Sequence, residues 1–312
     1  MIINQITIPT PFLVGPVNIW LIKDGKNILI DCGPKTPEAR IALEEALSKH
    51  NLTFSDIDEI WLTHAHPDHF GLAGEIQKLR NIPVKLHPAE RDNLDSTSNS
   101  DLFRQLFLEG GVPEEHIQTM KQQRLWYIPF FTVPEITWIE ASSELSSGKN
   151  VFKTIATPGH SPGHLSFLHE ESNSLIGGDV LIEHVSSNAL ISFDEDGNRR
   201  NSLAELRESL EMLSDFGGVV YPGHGEVILN PSKTAQNHLD AQDKRYHAIL
   251  TSIGRNPKTW FEITQSIFPK SNKQDYIFLT LSEVLGYLDR GVLEDKLKRS
   301  LKEDGKAYYQ LA

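Results

Sequence analysis

At 312 residues the chain is too long for one ordinary domain, and its 39% hydrophobic and 23% charged residues give the balance of a globular protein with a large core. A formal charge of −12, from 42 acidic and 30 basic side chains, sets a negative field against phosphate-backbone binding as the main task. One cysteine, Cys32, excludes an internal disulfide and a cysteine-built zinc knuckle.

In chain order, the β-branched residues 2–8 predict a strand. Apolar runs at 17–22 and 27–31 flank Lys23-Asp24-Gly25-Lys26, and Asp-Gly between two such runs is a hairpin signal. Thr36-Pro37 opens a helix, threonine as N-cap and proline in the first position, with Ile41, Leu43, Ala46 and Leu47 as its apolar face. Residues 59–63 read as a short strand running into His64, 72–79 as a helix and 84–87 as a strand. This alternation after an antiparallel start implies a layered α/β domain.

A helical insertion at about 90–132, rich in aromatic residues, interrupts the pattern. Strands return at 135–139, 151–157, 165–169, 175–177 and 219–221, with a helix at 203–213. Composition changes near Pro231: residues 235–312 hold 12 Lys+Arg against 10 Asp+Glu, so the negative charge belongs to what precedes them. Two domains are expected, 1–230 and 231–312. In the second, Thr259-Trp260-Phe261-Glu262 is a capping box. Ile277, Phe278, Leu281, Val284, Leu285 and Leu288 form one face of a helix over 275–290. Residues 292–297 and 307–311 read as strands around Glu303-Asp304-Gly305-Lys306, completing a winged-helix-like order. So small a unit is marginal alone, and it is expected to dock on the larger domain or on a second copy as a homodimer.

The informative segment is Thr63-His64-Ala65-His66-Pro67-Asp68-His69. Residues two apart at a strand end project to one side, so His64 and His66 can reach one ion. After Pro67 the chain turns, and Asp68 and His69 can face a second. Imidazole and carboxylate are ligands that Zn²⁺ accepts. Thr157-Pro158-Gly159-His160, Gly177-Gly178-Asp179 and Tyr221-Pro222-Gly223-His224 each place a further candidate ligand directly after an apolar run.

These motifs, in this order, resemble those of the metallo-β-lactamase superfamily over residues 2–227. The resemblance implies an αββα sandwich with two divalent metal ions, Zn²⁺ first and Mn²⁺ or Fe²⁺ as other occupants, at one edge of its two sheets. It implies His64, His66 and His160 on one ion, Asp68, His69 and His224 on the other, and Asp179 bridging them. A hydroxide between the ions would be the nucleophile, oriented by Asp68 as the catalytic residue, and Asp31 would support a ligand. With the winged-helix-like tail the chain is similar to the β-lactamase-like protein 2 group. Histidine at position 66, where the flavodiiron branch carries glutamate, argues for hydrolysis.

The other candidates have plainer readings beside the functional ones. Trp126, Tyr127, Phe130 and Phe131 either pack the insertion or form an apolar wall over the metals that would bind substrate. His184, shortly after Asp179, is a candidate substrate contact. His164 and Cys32 read as structural, His87 as a surface residue, and His50, His116, His169, His238 and His247 as solvated.

The expected function is hydrolysis of an ester, thioester, lactone or related small-molecule bond, in the cytoplasm: the lone cysteine suits a reducing compartment, and no run of roughly 18 apolar residues offers a membrane span. One rival is a single-stranded RNA endonuclease, which needs a basic groove. Another is a mononuclear iron enzyme resembling persulfide dioxygenases. A regulatory binder with a degraded site is disfavoured by the complete set of seven ligands.

Overall fold

The structure is a computed structural model that describes residues 3–95, 97–254, 256–269 and 276–312. Ile2 and Asp275, where the sequence starts the first strand and the long helix of the tail, lie outside the described residues.

Among the described residues the strands make three sheets. The first runs in spatial order β1 (Ile3–Ile8), β2 (Val17–Asp24), β3 (Lys26–Ile30), β4 (Glu59–Trp61), β5 (Val84–Leu86) and β6 (Ile136–Trp138). It is antiparallel from β1 to β3 and parallel from β3 to β6. The second sheet is β7 (Glu144–Ser147), β8 (Asn150–Ala156), β9 (Leu165–His169), β10 (Ser174–Gly178) and β11 (Val219–Pro222), laid side by side in sequence order. Only β10 and β11 pair in parallel there.

Side-chain alternation along these strands builds the layers. On β2, Trp20 and Ile22 point into one cluster with Ile28, Ile30, Trp61, Phe152, Leu165, Phe167 and Ile176, drawn from both sheets. Their neighbours Ile19, Leu21, Leu29 and Ile60 point the other way, onto helices α1 (Pro37–Lys49) and α3 (Ala73–Arg80). Leu175 of β10 and Val220 of β11 face a third cluster, shared with α6 (Ser202–Ser214). Helix, sheet, sheet and helix are therefore stacked with both sheets covered on both faces, as the sequence implies.

Local signals are met where side chains supply the missing partners of helix ends. Thr36 accepts from the Ala39 amide at the start of α1. One expectation fails there: Ile41 is 54% exposed, and the buried face of α1 is Ala39, Leu43 and Leu47.

The insertion contains α4 (Ser100–Glu109) and α5 (Glu114–Trp126). Phe107 of α4 stacks on Trp260 at 5.8 Å, and Phe103 meets Phe278 edge-on. The insertion thus packs on the C-terminal part. That part comprises α7 (Pro231–Ile253), α8 (Trp260–Ile267), α9 (Ile277–Leu293) and a small sheet in the order β12 (Lys258–Thr259), β14 (Ala307–Leu311), β13 (Leu297–Leu301). The capping box at Thr259 and Glu262 is present. Residues 292 and 293, expected in a strand, are the last residues of α9, and the strand starts at Leu297. The apolar face of α9 is buried in the chain's own third cluster.

Candidate metal centre

Four loops at strand ends carry the seven sequence-predicted ligands. His64 and His66 follow β4, and Pro67 starts the one-turn helix α2 (Pro67–Phe70) that presents Asp68 and His69. His160 follows β8, Asp179 follows β10 and His224 follows β11. The structure brings all seven together in three overlapping groups: His64, His66 and His160; Asp68, His69 and His224; and His64, His69 and Asp179, with the ligand atoms of each group within 4.8 Å of one another.

Hydrogen bonds fix the tautomers. The Thr63 hydroxyl donates to Asp31 Oδ2 at 2.9 Å, so toward His64 Nδ1, 3.0 Å away, it can only accept. His69 Nδ1 donates to Asp31 at 2.8 Å, His160 Nδ1 to the Asn188 carbonyl at 3.1 Å and His224 Nδ1 to the Pro16 carbonyl at 2.7 Å. Four rings thus spend their Nδ1–H away from the centre and direct Nε2 toward it, the arrangement by which outer partners set metal-binding imidazoles. His66 offers Nδ1, which lies 2.8 Å from His64 Nε2 and 3.0 Å from His160 Nε2. With its proton on Nε2, His66 would complete three converging lone pairs that a cation satisfies.

The second group shows the same need. Among the described residues, His69 Nε2, His224 Nε2 and Asp179 Oδ1 are buried and make no hydrogen bond. Asp179 spans both groups: His69 Nε2 and His224 Nε2 each lie 3.4 Å from its carboxylate, and His160 Nε2 lies 3.7 Å away. His224 Nε2 is 3.5 Å from Asp68 Oδ2. The donor set of imidazole nitrogens and carboxylate oxygens, without sulfur, fits a divalent ion of the zinc type.

Electrostatics divide the centre in two. Burial, reinforced by the neighbouring His160, holds His66 down at about 3, and burial with the surrounding rings holds His64 well below the usual histidine range. Burial pulls on His224 as well, but Asp179 and Asp68 override it and push it up to about 10. His69 is likewise carried well above its usual range by Asp179, Asp31 and Asp68 against the pull of burial. Burial works against the charge on Asp179, yet His224 and His69 hold it well below the usual carboxylate range. One half of the centre thus keeps neutral imidazoles and the other half attracts positive charge.

The remaining candidates fall around this cluster. His164 is buried, bonds Thr157 Oγ1 at 2.8 Å and accepts from the Asp179 amide at 3.0 Å, so it positions Asp179. The buried Cys32 thiol donates to the His69 carbonyl. His184 is exposed and stands over Gly225, where a Cβ would lie 2.9 Å from its ring. Trp126, 51% exposed, and Tyr127 and Phe130 cluster with Phe12, while Phe131 packs on Phe70 beside His69. His87 is half-buried and pairs with Glu140 at 3.2 Å. His169 and His238, expected in solvent, are buried, His169 against Phe152 and Ser172 and His238 on the inner face of α7.

Sequence reasoning did not find Pro16, Asn18, Thr63, Glu90 or Asn188. Thr63 adjoins the histidine motif and could have been read with it. The others act through backbone groups or come from distant segments, and no spacing marks them. Asn18, for example, donates to the carbonyls of Pro222 and Gly225 on either side of His224.

Comparison with known proteins places this centre in a family. The model of the metallo-beta-lactamase superfamily matches residues 13–224. The probable metallo-hydrolase YqjP of Bacillus subtilis (strain 168) is 32% identical over 291 residues, 91% of this chain and 90% of its own length. The beta-lactamase-like protein 2 homolog of Caenorhabditis elegans is 24% identical over 84% of this chain and 74% of its own. The crystal structure of a metallo-beta-lactamase family protein from Thermus thermophilus matches with a TM-score of 0.85 at 29% identity, covering 99% of this chain and 98% of that one. The chain belongs to the metallo-β-lactamase superfamily. It is a metal-dependent hydrolase, and the His/Asp cluster is its metal-binding group.

Proposed function

We propose that this chain is a dinuclear zinc hydrolase of ester, thioester or lactone bonds in small molecules, working in the cytoplasm. The carrying observation is the pair of ligand groups joined by Asp179, with buried Nε2 atoms of His69 and His224 and Oδ1 of Asp179 left without hydrogen bonds. His64, His66 and His160 would hold one ion, and Asp68, His69 and His224 the other. Two divalent ions a few ångströms apart supply an activated water near neutral pH and Lewis acidity toward a scissile carbonyl.

The chain's own groups have distinct tasks in this reading. Burial disfavours the charge on Asp68, but His69 and His224 outweigh it and lower its pKa, so the carboxylate is ionised at neutral pH. It can accept a proton-bearing partner at the reaction centre and orient it. Asp31, Asn188 and Pro16 hold the rings in the tautomers that bind metal. The half-exposed Trp126, Tyr127 and Phe130 form an aromatic group tied to the segment before α1 and to the end of the ligand helix: the Lys35 amide donates to Phe130 O and the Thr132 amide to Gly71 O. Such an aromatic group favours a substrate with an apolar part, with His184 beside Gly225 in the loop that carries His224. The charge of −12 favours a small molecule over RNA.

The test is metal analysis of the purified protein followed by a panel of thioesters, lactones, phosphodiesters and short RNA. Two equivalents of metal with turnover of a carbonyl substrate are expected. Asp68→Ala should abolish that turnover and leave the far-ultraviolet circular dichroism unchanged, because the apolar clusters do not depend on it. A single bound iron without hydrolysis, or preferential cleavage of RNA, would overturn the proposal.

A further inference from the structure

Glu90 lies in a short 3₁₀ segment, Pro88–Leu94, far in sequence from every ligand, and it is 0% exposed. A buried carboxylate is costly unless its oxygens are fully used. Among the described residues Glu90 meets four donors and no lysine or arginine. Oε2 accepts from the Ala65 amide at 2.9 Å and from Asn93 Nδ2 at 2.9 Å. Oε1 accepts from the Gly163 amide at 2.7 Å and from the Ser161 hydroxyl. A Cβ on Gly163 would lie 3.0 Å from Glu90, so the loop closes around this side chain.

The donors are not scattered. Ala65 sits between His64 and His66, while Ser161 and Gly163 directly follow His160. One carboxylate therefore clamps together the two loops that carry the entire first ligand group, whereas His69 and His224 rest on Asp31, Asn18 and Pro16, Asp31 also reaching His64 through Thr63. We infer that Glu90 is the positioning residue of the first metal site, fixing the distance between the His64/His66 loop and the His160 loop. The inference rests on the two-site reading above and assigns Glu90 to one half of it.

The chemistry of glutamine supplies the probe. In Glu90→Gln one oxygen becomes an NH₂ group. If it replaces Oε2, Asn93 can turn its amide round but the Ala65 N–H cannot. If it replaces Oε1, the Ser161 hydroxyl can reverse but the Gly163 N–H cannot. In either orientation one backbone clamp is lost, and only one.

The experiment titrates Co²⁺ alone into the apo-protein against a competing chelator, reading visible absorption and stoichiometry. Wild type should bind two equivalents; fewer would count against the two-site reading, and the comparison of variant with wild type would still report on Glu90. Glu90→Gln should weaken one site about 10- to 100-fold, with a changed spectrum, and leave the other within a few-fold. A lowered melting temperature of the apo-protein with both affinities and the spectrum unchanged would show Glu90 to be merely structural and overturn the inference. If Glu90→Gln does not fold, Ser161→Ala carries the test: a several-fold weakening of the same site is expected, and an unchanged titration overturns the inference.

Discussion

A Cβ on Gly223 would lie 2.1 Å from Asp179 Oδ1 and 2.8 Å from His69 Cε1. A methyl group there must push both side chains aside, so the loop before His224 closes on the Asp179 carboxylate as glycine. Gly223→Ala is expected to displace Asp179, remove at least one equivalent of metal and reduce turnover about 100-fold, as ångström-scale displacements at reaction centres do. Metal content and steady-state rates of the variant check this. Asp31 tests the tautomer argument. Its φ of 60° is one that asparagine also adopts, so Asp31→Asn keeps the backbone. With the oxygen of the new amide kept on the Thr63 N–H, its NH₂ would face the His69 N–H and the Thr63 hydroxyl. Chelator competition should then show metal binding about 10- to 100-fold weaker, with the fold retained. At this scale the convergence of the candidate ligands was legible, because three imidazoles and a carboxylate in six positions rarely assemble without a metal to bind. Glu90 and Asn18 were not, because each acts on backbone groups of loops that meet only in the fold.

The middle of the first sheet depends on charge as well as packing. Glu59 on β4 is buried and receives Lys26 of β3 and Lys85 of β5, each at 2.5 Å, and the Trp61 indole at 2.9 Å. Burial raises its pKa, but both lysines and Trp61 lower it further, so the net shift is downward. A lowered carboxyl pKa contributes stability that is complete above the unfolded value and is lost as pH falls through the folded one. Glu59→Gln is expected to destabilise the chain by about 2 kcal/mol at neutral pH. The difference from wild type should shrink below about pH 4.5. Thermal melts of both proteins between pH 7 and 3 check the sign. Where elements are concerned, termini with a specific side-chain cap were legible, as at Thr36 and Thr259. Amphipathic stretches diluted by polar residues were not. Helix α7 hides because His238 and Gln242 occupy its buried face among Ala235, Leu239, Tyr246, Ile249 and Ile253. Residues 292–297 look strand-like, yet α9 runs on to Leu293, and Gly291 leaves room for Leu297 to pack against it, where a Cβ would meet that side chain at 2.6 Å.

Across the whole molecule, the C-terminal residues complete the catalytic part rather than accompany it. One continuous apolar cluster joins Leu175, Leu206, Leu210 and Val220 to Tyr246, Trp260, Leu281, Leu285 and Leu288. Arg199 holds Asp289 of α9 through two hydrogen bonds, at 2.5 and 2.7 Å. The contact reaches the metal centre: Asn188 Nδ2 donates to the Leu279 carbonyl of α9, and the Asn188 carbonyl accepts from His160. The family model ends at residue 224, which would suggest that the chain can be cut soon afterwards. The packing argues otherwise. Each large aliphatic or aromatic side chain of that cluster left in water forfeits about 1.5–3 kcal/mol, and several such losses exceed the total stability of a typical domain. A chain truncated after Asn230 is therefore expected to aggregate or to bind apolar dyes without a cooperative melt, and to hold metal poorly because His160 loses its support. Sedimentation, dye binding and metal analysis of the truncated and full chains decide it, and a soluble truncation with a sharp melt and wild-type metal content would show that the residues beyond Asn230 only decorate the fold.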